Sequence, residues 1–420
     1  MNKKIKKFFK SFGPGFITGA SDDDPSGIAT YSQTGALFGY AQLWLSLYLW
    51  PFMSVIQEMC GRIGMVTGKG LAGVIKKHYT RSILYVAVFL LFFANTINIG
   101  ADLGAMASAA QLLFDLPFAF WLIFMTAVTL ILEVFVSYQV YAKYLKYLTL
   151  TLFAYVATVF AVKQDWSVIL FSTIIPTLSF SKDYLMNIVA ILGTTISPYL
   201  FFWQASEEVE EEVVKHKIKA MGVGIPRVNN RDIKDMRLDT IIGMFVSEAV
   251  AFFIIVTTAS TLHQAGITNI ETATQAAEAL RPLAGNFTFI LFALGIIGTG
   301  LLGVPVLAGS ASYAIAETLG WKEGLYRKFK QAHGFYGIIT IATLFGLLIN
   351  FVSIPPFKVL YYSAVLNGLV APPLMILILL IASNKKIMGK RTNSFFLSSL
   401  GWVITSFMTI VAIMLLYNLV

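Results

Sequence analysis

The chain has 420 residues, of which 57% are apolar and only 13% charged, with a mean hydropathy of +0.74. Soluble domains carry about 45–50% apolar and about 25% charged residues. A water-soluble enzyme is therefore excluded, and a polytopic α-helical membrane protein is expected. Cys60, the one cysteine, cannot form an internal disulfide and reads as a packed thiol. The basic start MNKKIKKFFK lacks the small-residue cleavage pattern of a signal peptide and reads as retained.

Eleven apolar spans follow in chain order, most of them near the ~20 residues that a membrane crossing needs. They run over 11–40 (interrupted), 41–66, 83–114, 118–138, 142–163, 185–214 (interrupted), 239–262, 286–318, 333–354, 357–383 and 394–418. With the N-terminus inside, the inner segments collect every basic residue of the 31 except Lys163, Lys182, Arg281 and Lys358. A shift of one span would destroy that alternation. The basic excess is thus a topology signal and needs no nucleic acid. The expected arrangement is a multi-pass protein of the plasma membrane with its N-terminus cytoplasmic and its C-terminus outside. No soluble domain is visible: the longest polar connection, 215–238, carries Gly222, Gly224 and Pro226 and reads as a loop.

Two spans cannot be continuous helices. The first holds Asp22, Asp23, Asp24, Pro25, Ser26 and Gly27 between apolar half-spans. Proline removes a donor and clashes with the preceding turn. Ionised aspartates at membrane depth cost at least ~2.5–3.5 kcal/mol each, so they face protein or water and usually serve function. The alternative is a juxtamembrane cap with solvated aspartates, which Phe16, Ile17, Ile28 and Ala29 on either side disfavour. The sixth span breaks at Thr194, Thr195, Ser197 and Pro198. Alone, Ser-Pro reads as an ordinary kink; its place at the head of a second, inverted set of five spans gives it another meaning. Repeats of opposite topology led by interrupted helices are the layout of a transporter, whose unwound segments meet near the midplane and coordinate a cation. The expected division is 1–166 for the first repeat, 167–391 for the second and 392–420 for an eleventh helix.

The segment GPGFITGASDDDPSGIATYSQTGALFGY resembles the first helix of the NRAMP divalent-metal transporters, whose signature there is Asp-Pro-Gly-Asn. The similarity continues through GRIGMVTGKGLAGVI, ADLGA, the broken sixth helix and RLDTIIGM. It implies a LeuT-like fold of five plus five helices and an eleventh, with the first and sixth discontinuous. Asp24 and Pro25 match the signature, while the metal-ligating Asn falls on Gly27. Where the family has Met-Pro-His in the sixth helix, this chain has Ser197, Pro198 and Tyr199, and Thr194 would supply a ligand carbonyl. Asp102 matches the helix-three aspartate of the proton path, with Ala105 in place of the glutamate. The helix-ten Gln falls on Ala364, with Asn367 one turn further.

These departures remove the thioether that favours softer ions and leave carboxylate, hydroxyl and carbonyl oxygen, the set suited to Mg, Ca and Mn. Gly27 and Ser197 are expected to widen the site for an ion that keeps several waters, as Mg²⁺ does. Tyr199 in place of His removes a proton shuttle near neutral pH. The pattern is similar to the NRAMP-related magnesium transporters. The expectation is an importer of Mg²⁺ and/or Mn²⁺ by alternating access, without proton coupling and functional as a monomer in the bilayer. Asp24 would be helped by Asp22 or Asp23, with Thr194, Ser197 and Asn367 completing an outer shell. Glu207, Glu208 and Glu211 would form an acidic inner vestibule or, alternatively, a solvated helix end. Glu58, Glu133, Glu248 and Glu317 are assigned structural pairing. The alternatives are a proton-coupled Mn²⁺/Fe²⁺ importer with Asp102 as acceptor, and a sodium-coupled organic-solute symporter. No His-x-x-x-His, Cys-x-x-Cys or GxxxxGK[ST] spacing supports a zinc enzyme or direct ATP drive. No cofactor is implied.

Overall fold

In the computed structural model, residues 13–136, 149–352 and 354–419 are described. Lys3, Lys4, Lys6, Lys7, Lys10, Lys143 and Lys146, which the topology assignment used, lie outside them. Helices occupy all eleven expected spans, and the described residues contain no extended strand. The first span is α1 (Pro14–Asp22) and α2 (Pro25–Phe38), followed by α3 (Trp44–Thr67), a short α4 (Leu71–His78), α5 (Arg81–Gln111) and α6 (Phe118–Phe135). The fifth span holds α7 (Phe153–Ala161), and α8 (Trp166–Ile174) leads to the sixth, α9 (Lys182–Thr195) and α10 (Pro198–Val214). Then come α11 (Asn230–Thr258), the short α12 (Ala273–Ala277) and α13 (Arg281–Ala284), and α14 (Thr288–Leu319). The chain closes with α15 (His333–Ile349), α16 (Pro356–Ser383), the short α17 (Lys385–Met388) and α18 (Phe395–Leu419).

Seven helical runs are by themselves long and apolar enough to cross a membrane. The other four crossings fall short for physical reasons. The first is split by Pro25, the second carries Glu58 and Arg62, and the fifth and ninth are short apolar helices. Sequence reading did not anticipate α4 and α8. Both are too short to span and lie in connections.

Burial sorts the helices into layers. Every residue from Pro25 to Ala36 is buried, as are Asn187–Thr195 and Pro198–Ser206. By contrast α6, α15 and α18 expose Phe120, Phe124, Phe345, Trp402 and Ile413 on lipid-facing sides. The two broken spans therefore form the centre and the continuous helices wrap them. Small residues permit the close approach, as is usual between membrane helices. Gly193 of α9 lies directly on the Ala364 carbonyl and Gly368 of α16, where a Cβ has no room. On α1, Gly15 and Gly19 do the same against Thr240 and Gly243 of α11.

At the end of the bundle where α10 and α14 finish, the connection after α14 folds back under α10. Glu210 accepts hydrogen bonds from the Tyr313 hydroxyl and the Leu325 amide. Glu323 in that connection is buried, and its Oε2 has no hydrogen-bond partner. Burial, with the charges of Glu317 and Glu210 adding to it, pushes its carboxyl up to about 10. The folded state then holds a proton that the unfolded chain releases near pH 4–5, so this group's contribution falls as pH rises and levels off only above about 10. Glu323→Gln is expected to raise the unfolding midpoint at neutral pH, with a gain over the native chain that grows toward pH 10. Parallel midpoint–pH curves for the two proteins would contradict this.

Candidate metal-binding site

The break in the first span follows from Pro25. Helix α2 starts with Pro at its first position, where no amide donor is needed. Asp24 is its N-cap: Oδ1 accepts from the Gly27 amide at 2.9 Å and the Ser26 hydroxyl at 2.6 Å. The same carboxylate faces outward from its helix through Oδ2. That oxygen accepts from Asn98 Nδ2 of α5 at 3.1 Å and from the Tyr199 hydroxyl of α10 at 3.3 Å. Asn98 is held in turn by the Ser363 hydroxyl of α16, 2.7 Å from its Oδ1. One buried carboxylate thus ties together α2, α5, α10 and, through Asn98, α16.

The sixth span breaks in the same way, with Ser197 as N-cap and Pro198 at the first helical position. The two breaks meet. Ser26 Oγ lies 3.4 Å from Thr194 Oγ1, Tyr31 Oη 3.1 Å from Thr195 Oγ1, and the Tyr199 hydroxyl donates to the Ser21 carbonyl at 3.1 Å.

Ser197 departs from expectation. Its hydroxyl turns back on its own span and donates to the Gly193 and Thr194 carbonyls at 2.6 and 2.7 Å. A helix end leaves carbonyls without amide partners, and the nearest hydroxyl takes them. The Thr194 carbonyl expected to face an ion is therefore bonded to Ser197 in this state. Gly27 departs too. A Cβ there would sit 2.9 Å from the Asp22 carbonyl and 3.4 Å from Thr194 Oγ1 and Tyr31 Cε2. The space released by the missing Asn side chain is filled by Tyr31 and Thr194, so Gly27 does not widen the site.

Asp22 and Asp23 end α1 with their carboxylates turned toward α11. Ser247 Oγ donates to Asp22 Oδ2 at 2.6 Å and lies 3.4 Å from Asp23 Oδ1. They do not share Asp24's oxygen set, and among the described residues no three carboxylate, His or Cys side chains converge to hold one ion. Glu248, next to Ser247, was assigned structural pairing; among the described residues it has no ion pair, and its Oε1 has no hydrogen-bond partner. The sequence signal was available: Ser247 and Glu248 interrupt an otherwise apolar helix. The other assignments fare differently. Glu58 pairs with Arg62 at 3.0 Å and Arg237 at 2.7 Å. Glu317 accepts from the Gly70 and Gly73 amides at the start of α4, at 2.6 and 2.8 Å. Glu133 has the Thr343 hydroxyl at 3.5 Å.

Asp102 lies one helical turn beyond Asn98, fully buried, with the Ser26 amide as a polar neighbour and no close side-chain hydrogen-bond partner among the described residues. A single point beside Gly303 of α14 is within 4 Å of both Asp24 Cβ and Asp102 Oδ2, so the two carboxyls are neighbours. Asn367 is buried on α16 with both side-chain polar atoms unpartnered. Outside this centre, a cavity of about 240 Å³ opens between α2, α9 and α16, lined by Gln33, Asp183, Asn269 and Lys358.

The glutamates past the second break do not form an open vestibule in this state. Glu208 is buried and accepts from Gln204 at 3.0 Å; Gln204 in turn accepts from Thr18 of α1 at 2.5 Å. Glu207 is half-buried, 3.4 Å from the Tyr313 hydroxyl, and Glu211 pairs with Lys215 at 2.9 Å. The run is distributed around the helix because successive residues are about 100° apart, so each face finds its own partner.

The comparisons with known proteins agree with this architecture. The chain is 24% identical to the divalent metal cation transporter MntH of Caldanaerobacter subterraneus subsp. tengcongensis, over 99% of this chain and 94% of that protein. It is 26% identical to the MntH of Klebsiella pneumoniae, over 94% and 90%. Among solved structures it is similar to the Eremococcus coleocola manganese transporter, with a TM-score of 0.77 at 15% identity, covering 98% of this chain and 87% of that one. A closed conformation of Mhp1, a nucleobase-cation-symport-1 family transporter, gives a TM-score of 0.54 at 14% identity, covering 97% and 90%. The family described as Natural resistance-associated macrophage protein-like matches residues 15–418, and the chain belongs to that family.

Proposed function

We propose that this chain is a secondary transporter that carries a divalent cation inward by alternating access, and that the cation is Mg²⁺ and/or Mn²⁺ moving partly hydrated. The observation that carries the reading is Asp24, an anionic oxygen ligand at the meeting point of two broken helices, with only oxygen and amide groups around it. Such a set suits hard dications. The relatives named as divalent metal cation transporters support the class. Asp24 is the principal ligand; the carbonyls near Thr194, released when Ser197 turns away, and Asn367 complete an outer shell around retained water. Tyr199 orients Asp24. The repeats 1–166 and 167–391 rock against each other around this point, in a monomer of the plasma membrane with its N-terminus cytoplasmic.

Release to the inside requires α1 to leave its neighbours. Asp239 of α11 holds the start of α1 through the Gly13, Gly15 and Phe16 amides at 2.9, 2.8 and 3.2 Å. The Thr18–Gln204 bond ties α1 to α10. Both are local polar contacts that water can replace on opening. A second reading, proton-coupled import of Mn²⁺ or Fe²⁺, would use Asp102 as the proton acceptor; its support is a buried carboxyl beside Asp24 with no side-chain partner among the described residues.

In liposomes, Asp24→Ala is expected to abolish Mg²⁺ and Mn²⁺ uptake; near-normal uptake would refute the site. Native uptake is expected to leave the internal pH unchanged, whereas acidification that tracks metal uptake would support the proton-coupled reading instead. Ser197→Met is expected to raise Cd²⁺ and Mn²⁺ uptake relative to Mg²⁺. No change in that ratio would mean that position 197 stays on its own helix end throughout the cycle.

A further inference from the structure

A second polar region lies at the end of the bundle where α2 finishes and α9 and α16 begin, which the proposed orientation places outside. The cavity of about 240 Å³ is there. Ala29 and Gln33 line it from one face of α2, and Ala29 is five residues from Asp24, about 7–8 Å of helix rise. Lys358 and Tyr362 line it from α16; the next residue, Ser363, holds Asn98, which bonds Asp24. Asn269 and Ile270 line it from residues 264–272, the connection after α11.

That connection is fastened to α2 by one side chain. The Gln33 amide donates to the Thr268 carbonyl at 3.1 Å and accepts from the Ile270 amide at 2.8 Å, as a neighbouring strand would. Near the end of α2, His263 Nδ1 lies 2.8 Å from the Ala36 carbonyl, and Gly35 leaves no room for a Cβ against Thr258 and the Ile255 carbonyl. Helix α2 and the connection therefore form one body. The tie across the cavity differs in kind. Lys358 of α16 pairs with Glu271 at 2.6 Å, and Asn269 Nδ2 donates to the same Glu271 oxygen at 3.1 Å. With side chains 37% and 42% exposed, the pair is open to water and shifts an equilibrium by at most about fivefold.

We propose that the Glu271–Lys358 pair is the outer latch of the transport cycle, and that Gln33 is the positioning residue that makes the latch act on α2. The inference rests on the reading of Asp24 as the cargo ligand. With the pair made, the connection is held to α16 and the way from the cavity to Asp24 stays shut. When it breaks, α2 and the connection leave α16 together and the cavity becomes the entry path. A weak, exposed pair fits this task, because a strong one would trap the closed state. The latch removes part of the population from the state that accepts an ion, so apparent affinity from outside falls by the same fraction.

Mn²⁺ uptake by intact cells expressing the full chain tests this through the KM for external Mn²⁺. Glu271→Gln and Lys358→Met are each expected to lower KM, by about two- to fivefold. The double variant should lower it no further than either single, because the two residues act as a unit. The charge-swapped chain, Glu271→Lys with Lys358→Glu, should return toward the native value. In a Gln33→Leu background, Glu271→Gln should have no further effect. Both residues of the pair are exposed, so neither substitution threatens the fold. A plain field effect on the approaching cation gives another pattern, since losing an acid raises KM and losing a base lowers it. Opposite shifts in the two singles, an unchanged KM in both, or additive shifts in the double would overturn the latch, while uptake by the native chain upholds the transport reading. Absence of Mn²⁺ uptake by the native chain would overturn both.

Discussion

Inside a bilayer a backbone carbonyl or amide that leaves its helix must find another partner, because lipid offers none. Two helices of this protein break at Pro25 and Pro198, and the structure is organised around satisfying what those breaks release. Asp24 takes the Gly27 amide, Ser197 takes the Gly193 and Thr194 carbonyls, and Tyr199 reaches across to the Ser21 carbonyl. Each break is covered partly by itself and partly by the other. This is why the broken spans lie at the centre and are buried around their breaks, while continuous helices such as α6, α15 and α18 face lipid.

Part of this set of bonds can be exchanged for an ion without stranding the donors involved. A cation at Asp24 displaces hydrogens now pointing at the carboxylate, and two of those donors have a second acceptor in place. The Tyr199 hydroxyl lies as close to the Ser21 carbonyl as to Asp24, and the Ser26 hydroxyl is within 3.4 Å of Thr194 Oγ1. Asn98 stays anchored by Ser363, so a change at Asp24 is felt by α16 through a single side chain. In the proposed mechanism, binding at Asp24 is thereby linked to the helices that would move, as alternating access demands of its site. A coupling of this kind requires contacts that differ between the two states, and the proposal assigns that role to these bonds.

Much of this was legible in the sequence because membrane constraints are strong. Length, apolarity and the placement of Lys and Arg located all eleven spans, and proline beside aspartate or serine located both breaks. Legibility failed where side-chain direction decides. Asp22, Asp23 and Asp24 are adjacent, yet the turn at Asp23 sends the first two toward α11 and the third toward α5 and α10. Ser197 looked like a ligand by position, but a hydroxyl at a helix end bonds the freed carbonyls of its own turn. Gly27 looked like empty volume, whereas the neighbouring Tyr31 and Thr194 occupy it. Glu248 reads as structural by residue type alone, although its place beside Ser247 in an otherwise apolar helix marks it as unusual.

The central claim is that the two broken helices hold a hard dication between the Asp24 carboxylate and the freed carbonyl end of α9. Anomalous diffraction from crystals soaked with Mn²⁺ tests it most directly. The account predicts a peak within coordination distance, about 2.0–2.6 Å for hard cations, of an Asp24 oxygen, with the Ser197 hydroxyl rotated off the Thr194 carbonyl. A Mn²⁺ peak elsewhere in the bundle, with Asp24 still bonded to Asn98 and Tyr199 as before, would contradict it.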